Sequence, residues 1–188
     1  AAPAVRISNG ANLAVITRNY HPYPQAVYRR GFKGMVSGFR QNENSRLSRV
    51  KSANYLLQLL ALRDAEEKGF DEAILLNSRG LVAEGSRANI FIVENRKLLT
   101  PDLRQGCLNG ITRQIVLKLA QKNKIKIQEG KVTPERLLHG DEAFLTNSLL
   151  EIMPLVSVNR RQIGDGRREI TNLLLGEYRS LVESECKK

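Results

Sequence analysis

Three short stretches carry side chains whose chemistry needs a reason. The first is Leu81 to Val93, read LVAEGSRANIFIV, which sets a carboxylate, Glu84, between two runs with the composition of buried strands. An ionised carboxylate stripped of water is costly unless paired or hydrogen-bonded, so Glu84 is either met by a nearby cation or kept for a ligand. The second is Val50-Lys51-Ser52-Ala53-Asn54-Tyr55, one lysine directly ahead of a helical pattern. Flanked by Val50 and an apolar helix, that amine is a candidate for desolvation, which favours the neutral nucleophile. The third is Gly106-Cys107-Leu108-Asn109-Gly110-Ile111-Thr112-Arg113. There Gly110 permits close backbone approach, and the free N–H groups of Ile111 and Thr112, with the Thr112 hydroxyl, suit phosphate at a helix start. Thr146-Asn147-Ser148, at the end of an apolar run, offers a second set of small donors. Each stretch alone has a plain structural reading, since most lysines are solvated and many helices that bind nothing begin with glycine and threonine. Together they offer an amine, an acid and an anion cup.

The elements that must carry these groups follow from periodicity and turn residues. A strand is expected at Leu13 to Arg18, and Tyr20-His21-Pro22-Tyr23-Pro24 ends regular structure there. Gly31, Gly34 and Gly38, alternating with Phe32, Met35, Val36 and Phe39, suit an irregular strand, and Gln41 to Arg46 reads as polar loop. From Ser52 the apolar positions Tyr55, Leu56, Leu59, Leu60 and Leu62 share one helical face as far as Lys68, with Gly69 placed to stop the helix. Lys51 then stands at that helix's start, at the end of the preceding strand. Glu72 to Asn77, Leu81 to Glu84, Asn89 to Glu94 and Lys97 to Thr100 read as strands joined by tight turns. Gly110 to Asn123 is a second helix with Ile111, Ile115, Leu119 and Ala120 facing inward. Ile125 to Gln128 and Glu142 to Asn147 are strands, Pro134 to Leu138 is a short helix, and Leu155 to Val158 with Gln162-Ile163 form a hairpin. A helical stripe of Ile170, Leu173, Leu174, Tyr178, Leu181 and Val182 closes the chain before a charged tail. Hairpins with interspersed helices predict an α+β fold.

Composition narrows the partners. The 188 residues, 41% hydrophobic and 26% charged, suit one sizeable core or two small ones. No run approaches the roughly 18 apolar residues of a membrane span, and Ala1 to Asn12 lacks the pattern of a secretory leader, so the cytoplasm is expected. Cys107 and Cys186, with only His21 and His139 for company, have no metal-like spacing and read as free thiols, so no metal is expected. The net charge of +11 raises nucleic acid as a remote alternative. The cations are spread, however, between Arg29 to Arg49 and Arg160 to Arg168, without the interleaved aromatics that stack bases. A solvated basic surface, or attraction for an anionic substrate or cofactor, fits better.

Pyridoxal phosphate needs an amine for its aldehyde, donors for its phosphate and an acid beside its ring nitrogen, and all three are available here. From Val50 to Tyr178 the chain resembles the large domain of class IV, or fold type IV, pyridoxal-phosphate enzymes. The matching segments are Lys51-Ser52-Ala53-Asn54-Tyr55, Asp71 to Leu76, Glu84-Gly85-Ser86-Arg87-Ala88-Asn89-Ile90-Phe91, Leu108-Asn109-Gly110-Ile111-Thr112-Arg113, and Thr146-Asn147-Ser148 leading to Glu151-Ile152-Met153-Pro154. The resemblance implies an antiparallel-rich, barrel-like sheet with flanking helices, as in D-amino-acid aminotransferases. By the same resemblance Lys51 is the Schiff-base lysine and the acid and base at the substrate carbon, and Glu84 meets the ring nitrogen. Gly110, Ile111 and Thr112, with Asn147 and Ser148, hold phosphate, Leu108 packs on the ring, and Tyr55 lies near cofactor or substrate. Arg87 and Asn89 order the strand pair, and Arg113 pairs on its own helix.

Within the family, Leu108-Asn109-Gly110-Ile111-Thr112-Arg113 together with Thr146-Asn147-Ser148, Glu151-Ile152 and Met153-Pro154-Leu155 is similar to bacterial 4-amino-4-deoxychorismate lyases, whereas aminotransferases tend to have glycine and threonine in place of Asn147-Ser148. That favours a lyase making 4-aminobenzoate and pyruvate. The alternative is a branched-chain or D-amino-acid aminotransferase. The resemblance also implies a homodimer acting on a small amino substrate, and a division into 1–40, the end of a small domain with its linker, and 41–188, the cofactor-binding domain. Most of the small domain is then missing, and the open flank is expected to expose apolar surface.

Overall fold

The computed structural model describes residues 13–186. The first twelve residues, read above for a leader, and the last two lysines of the charged tail lie outside the described residues.

Among the described residues nine strands form one sheet. They are β1 (Phe32–Gln41), β2 (Glu72–Asn77), β3 (Val82–Gly85), β4 (Asn89–Glu94), β5 (Lys97–Pro101), β6 (Ile127–Gly130), β7 (Glu142–Asn147), β8 (Glu151–Val158) and β9 (Arg161–Gln162). Their order is β3-β2-β1-β8-β7-β4-β5-β6, with β9 against β8. Most neighbours are antiparallel, while β1 runs parallel to β2 and β8, and β5 to β6. Around the sheet lie α1 (Gln25–Arg30), α2 (Leu56–Glu67), α3 (Ile111–Lys122), α4 (Pro134–Leu138) and α5 (Glu169–Cys186). The fold is therefore α+β, as the hairpin pattern implied.

The sheet must curl, and chain length shows why. β3 and β4 stand five places apart in the order, roughly 24 Å in a flat sheet. Only Ser86, Arg87 and Ala88 join them, a link that spans at most about 15 Å. The two ends of the sheet therefore bend toward each other, and Glu84, on β3, ends up beside the loops that follow β5 and β7. Hairpin turns fix the register: Asn95-Arg96 and Asn159-Arg160 both take positive φ, as two-residue turns matching strand twist require.

β2, β4 and β7 read as nearly continuous apolar runs because both of their faces are covered. The main core centres on the stacked rings of Phe91 and Phe144, 5.0 Å apart, and α3 and α5 pack onto it through Val116, Ala120, Ile170, Leu174 and Tyr178. A smaller core lies under α2, where Ala61 and Ala65 let the helix approach Met35, Ala73 and Leu75.

Several expectations about elements are corrected. Leu13 to Arg18 is exposed coil rather than strand, and a short helix, α1, follows Pro24. The irregular strand expected around Gly31 to Phe39 is β1, but it lies between β2 and β8 within the sheet, so residues 32–40 are not part of the linker. Helix α2 begins at Leu56, not Ser52, and its inward face is Leu57, Ala61 and Ala65. Leu56, Leu59 and Leu60, which share a neighbouring face, point to solvent. Both stripes have helical spacing, and the sheet selects the one small enough to come close. In α3 the inward residues are Thr112, Val116, Leu119 and Ala120, with Ile115 at their edge; Ile111 is 72% exposed.

Candidate active site

A cavity of about 380 Å³, within the range of small-molecule sites, opens between the bent ends of the sheet. Lys51, Tyr55, Glu84, Leu108, Gly110, Ile111, Thr112, Asn147 and Ser148 all line it, drawn from four separate segments of the chain. Lys51 does not end a strand. It lies ten residues beyond β1, in coil between a single 3-10 turn at Arg46–Arg49 and α2. Both Lys51 and Val50 are exposed, so the burial expected of that amine is absent.

Glu84 behaves differently. It is 8% exposed, and its Oε2 accepts the Leu108 amide at 2.8 Å while Oε1 lies 3.4 Å from Gln41 Nε2. Burial pushes its carboxyl up to about 8, the Leu108 amide and the Lys51 charge pull it down, and the nearby Glu72 carboxylate pushes it up again. An acid this deep with so few donors is under-compensated, and a cation placed in the cavity would restore its ionisation.

The anion cup is built on α3. The helix starts at Gly110 with no side chain capping it and no acid in its first turn, so its leading N–H groups are free to face an anion. Thr112 is 3% exposed and lines the same wall. Gly110 also makes room for Asn89: a Cβ there would press on Asn89 Oδ1 and displace that side chain. Asn89 donates through Nδ2 to the Leu108 carbonyl at 2.7 Å, so it ties β4 to the cup as well as filling its place in the strand. Opposite, Asn147 donates to the Arg87 carbonyl at 2.8 Å and accepts the amides of Leu149 and Leu150 at 2.8 and 2.6 Å. Those bonds shape the turn that carries Ser148. Thr146 Oγ1, on the cavity wall, is buried with no partner.

Tyr55 lies on the rim with its hydroxyl donating to the Ser86 carbonyl at 2.5 Å; burial pushes the phenol up to about 12, keeping it a donor. Arg113 does not pair on its own helix. It crosses to the Glu129 carboxylate and the Pro101 carbonyl, at 2.5 and 3.0 Å, and pins α3 to β5 and β6. Gln41, in the expected polar loop, instead ends β1, buried, with Nε2 donating to the Gly106 carbonyl at 3.0 Å and facing Glu84. Thr146, one of the three expected small donors, is the one whose hydroxyl is buried and unpartnered. The continuing strand pattern up to Gln41 was the available signal for the first; nothing in the sequence singles out the second.

The model for amino-transferase class IV matches residues 3–158. The chain belongs to the class IV aminotransferase family. A branched-chain-amino-acid aminotransferase of Pseudomonas aeruginosa is 39% identical over 164 residues, covering 86% of this chain and 53% of that protein. The aminodeoxychorismate lyase of Bacillus subtilis is 33% identical over 152 residues, covering 81% and 52%. Among solved structures, the branched-chain aminotransferase of Thermobaculum terrenum in its holo-form with pyridoxal phosphate superposes with a TM-score of 0.78 at 35% identity, covering 81% of this chain and 51% of that one. The chain thus spans about half the length of the relatives it matches. Class IV enzymes use pyridoxal phosphate, and the donor set here fits that group: an amine at the cavity edge, a deep acid short of partners, an uncapped helix start and the orphaned Thr146 hydroxyl. The identities weigh toward the aminotransferases of this class rather than the lyase favoured by the Thr-Asn-Ser segment.

Among the described residues no helix is long and apolar enough to cross a membrane, and no cluster of His, Cys, Asp and Glu is disposed to hold a metal. Cys107 and Cys186 are both free thiols, the first buried and the second exposed.

Proposed function

We propose that this chain is the cofactor-binding part of a cytoplasmic, pyridoxal-phosphate-dependent aminotransferase acting on small amino acids, with branched-chain substrates first. The observation that carries the reading is the convergence of Lys51, Glu84 and the free start of α3 on one cavity. Pyridoxal phosphate supplies an aldehyde that condenses with amines and a cationic ring that draws electrons from the substrate's α-carbon. Lys51 would be the amine for that aldehyde and, as a free amine, the base for the proton on the substrate's α-carbon. Its exposure at the cavity edge, away from any regular element, gives it the reach to do both. Glu84 holds the ring nitrogen's charge, and its deep, donor-poor setting supports that role. The amides of Ile111 and Thr112, the Thr112 hydroxyl, and the Asn147 backbone with Ser148 hold phosphate. Leu108 packs beside the ring, and Tyr55 closes the rim.

In this reading β1 belongs to the large domain with the rest of the sheet, and the stretch before it leads to a smaller one. A homodimer belongs to the same proposal, and the solvent-facing Leu56, Leu59 and Leu60 of α2 are the apolar surface a second copy would cover.

The lyase remains a second reading, favoured by the likeness to the Bacillus subtilis enzyme. Product analysis separates them. With pyridoxal phosphate, leucine and 2-oxoglutarate, an aminotransferase forms glutamate and the leucine keto acid. Formation of 4-aminobenzoate and pyruvate from aminodeoxychorismate, with no keto-acid acceptor required, would overturn it in favour of the lyase.

A further inference from the structure

The turn that presents Ser148 is gripped from behind by groups outside the cavity. β7 and β8 pair Asn147 with Glu151, leaving a three-residue loop, and Glu151 sits at φ +53. Such loops usually put glycine at the left-handed position. Here the position holds a glutamate whose carboxylate is used: Arg179, on α5, donates to Glu151 Oε2 through Nε at 2.8 Å and Nη2 at 2.7 Å. The Arg179 guanidinium lies 4.6 Å over the ring of Tyr28, on α1, and about 70% of each charged side chain is covered, Arg179 and Glu151 being 30% and 28% exposed. The loop's carbonyls are held as well, Leu149 by the Tyr20 hydroxyl at 2.5 Å and Leu150, more loosely, by the Tyr28 hydroxyl at 3.4 Å. The segment before β1 and the C-terminal helix therefore meet on one loop.

We infer that Arg179, Glu151 and Tyr28 are positioning residues that hold the Asn147–Leu150 turn in the register by which Ser148 meets a ligand's phosphate group. The ion pair supplies the cost of a left-handed glutamate and fixes the loop's far end, while Asn147 fixes its near end. None of the three lines the cavity. The inference rests on the cofactor reading above.

Two aldehydes test it. Pyridoxal phosphate and pyridoxal differ only in the phosphate, so their imine absorbance, titrated on the 188-residue chain, separates phosphate holding from everything else. Arg179→Met should weaken uptake of pyridoxal phosphate about tenfold and leave uptake of pyridoxal unchanged, with Arg179→Lys recovering part of the loss. Amide exchange at 148–150 should quicken in the same variant while β2 and β4 keep their protection. Equal weakening of both aldehydes, or no change in either, overturns the clamp. A wild-type chain that binds pyridoxal phosphate no better than pyridoxal, or binds neither, overturns the phosphate cup itself and the clamp's role with it.

Discussion

Glu72 and Glu84 are buried acids on neighbouring strands with different surroundings. Glu72, fully covered, accepts from Ser86 and the Ala73 amide on Oε1, while its Oε2 lies 3.5 Å from Arg87 Nε without a hydrogen bond. Burial still pushes its carboxyl up, against the pull of Ser86 and Arg87. Glu84 has one amide at hydrogen-bond distance and a long contact from Gln41, and it opens on the cavity. One acid is tied into the Ser86–Ala88 link that bends the sheet. The other is held in place but left short of charge compensation, which is the condition in which a carboxylate serves a cationic ligand.

Replacing each acid with its amide is the direct way to break that comparison. Glu84→Gln should lower amino transfer by about 10²-fold or more without lowering the unfolding temperature, because the shape and the Leu108 contact survive. Equal activity in that variant would remove Glu84 from the chemistry. Glu72→Gln should do the reverse, costing roughly 1–3 kcal/mol in denaturant unfolding and less than tenfold in rate.

Acid titration sharpens the same contrast. Glu84 rises from an ordinary 4.5 to about 8 in the folded chain, so between those values the native state keeps a proton that the unfolded state has lost. Stability of the cofactor-free protein should therefore fall as pH rises from about 5 to 8, by up to roughly 1.4 kcal/mol per pH unit from this group. Glu72, also raised, adds a slope of the same sign. Glu84→Gln should flatten the curve in part; an unchanged slope would mean that Glu84 is ionised throughout. The smallest effect is expected of Gln41→Leu, which removes one donor facing Glu84 and one bond to Gly106, at about 1 kcal/mol of stability and a severalfold loss of rate.

What the chain disclosed in advance follows the physics of each part. Apolar runs such as Ala143-Phe144-Leu145 in β7 are legible because burial on both faces favours that composition. Short chemical motifs at Lys51, Glu84 and Thr112 are legible because few residue types can supply an amine, an acid and an anion cup. Helix faces were less so. Leu56 and Ala61 both have helical spacing, and only the sheet decides which is inside. Arg113 was not legible for the same reason, since its partners Pro101 and Glu129 lie on other elements, and the Asn89 bond to Leu108 adds to its place in the strand. Lys51 was expected to be buried because its neighbours are apolar, but those neighbours face solvent too.

The most direct measurement is reductive trapping. Incubation with pyridoxal phosphate and then borohydride should leave one phosphopyridoxyl group per chain, and peptide mass mapping should place it on Lys51, with none on Lys51→Ala. A label spread over the surface lysines, or retained in full by Lys51→Ala, would contradict the assignment.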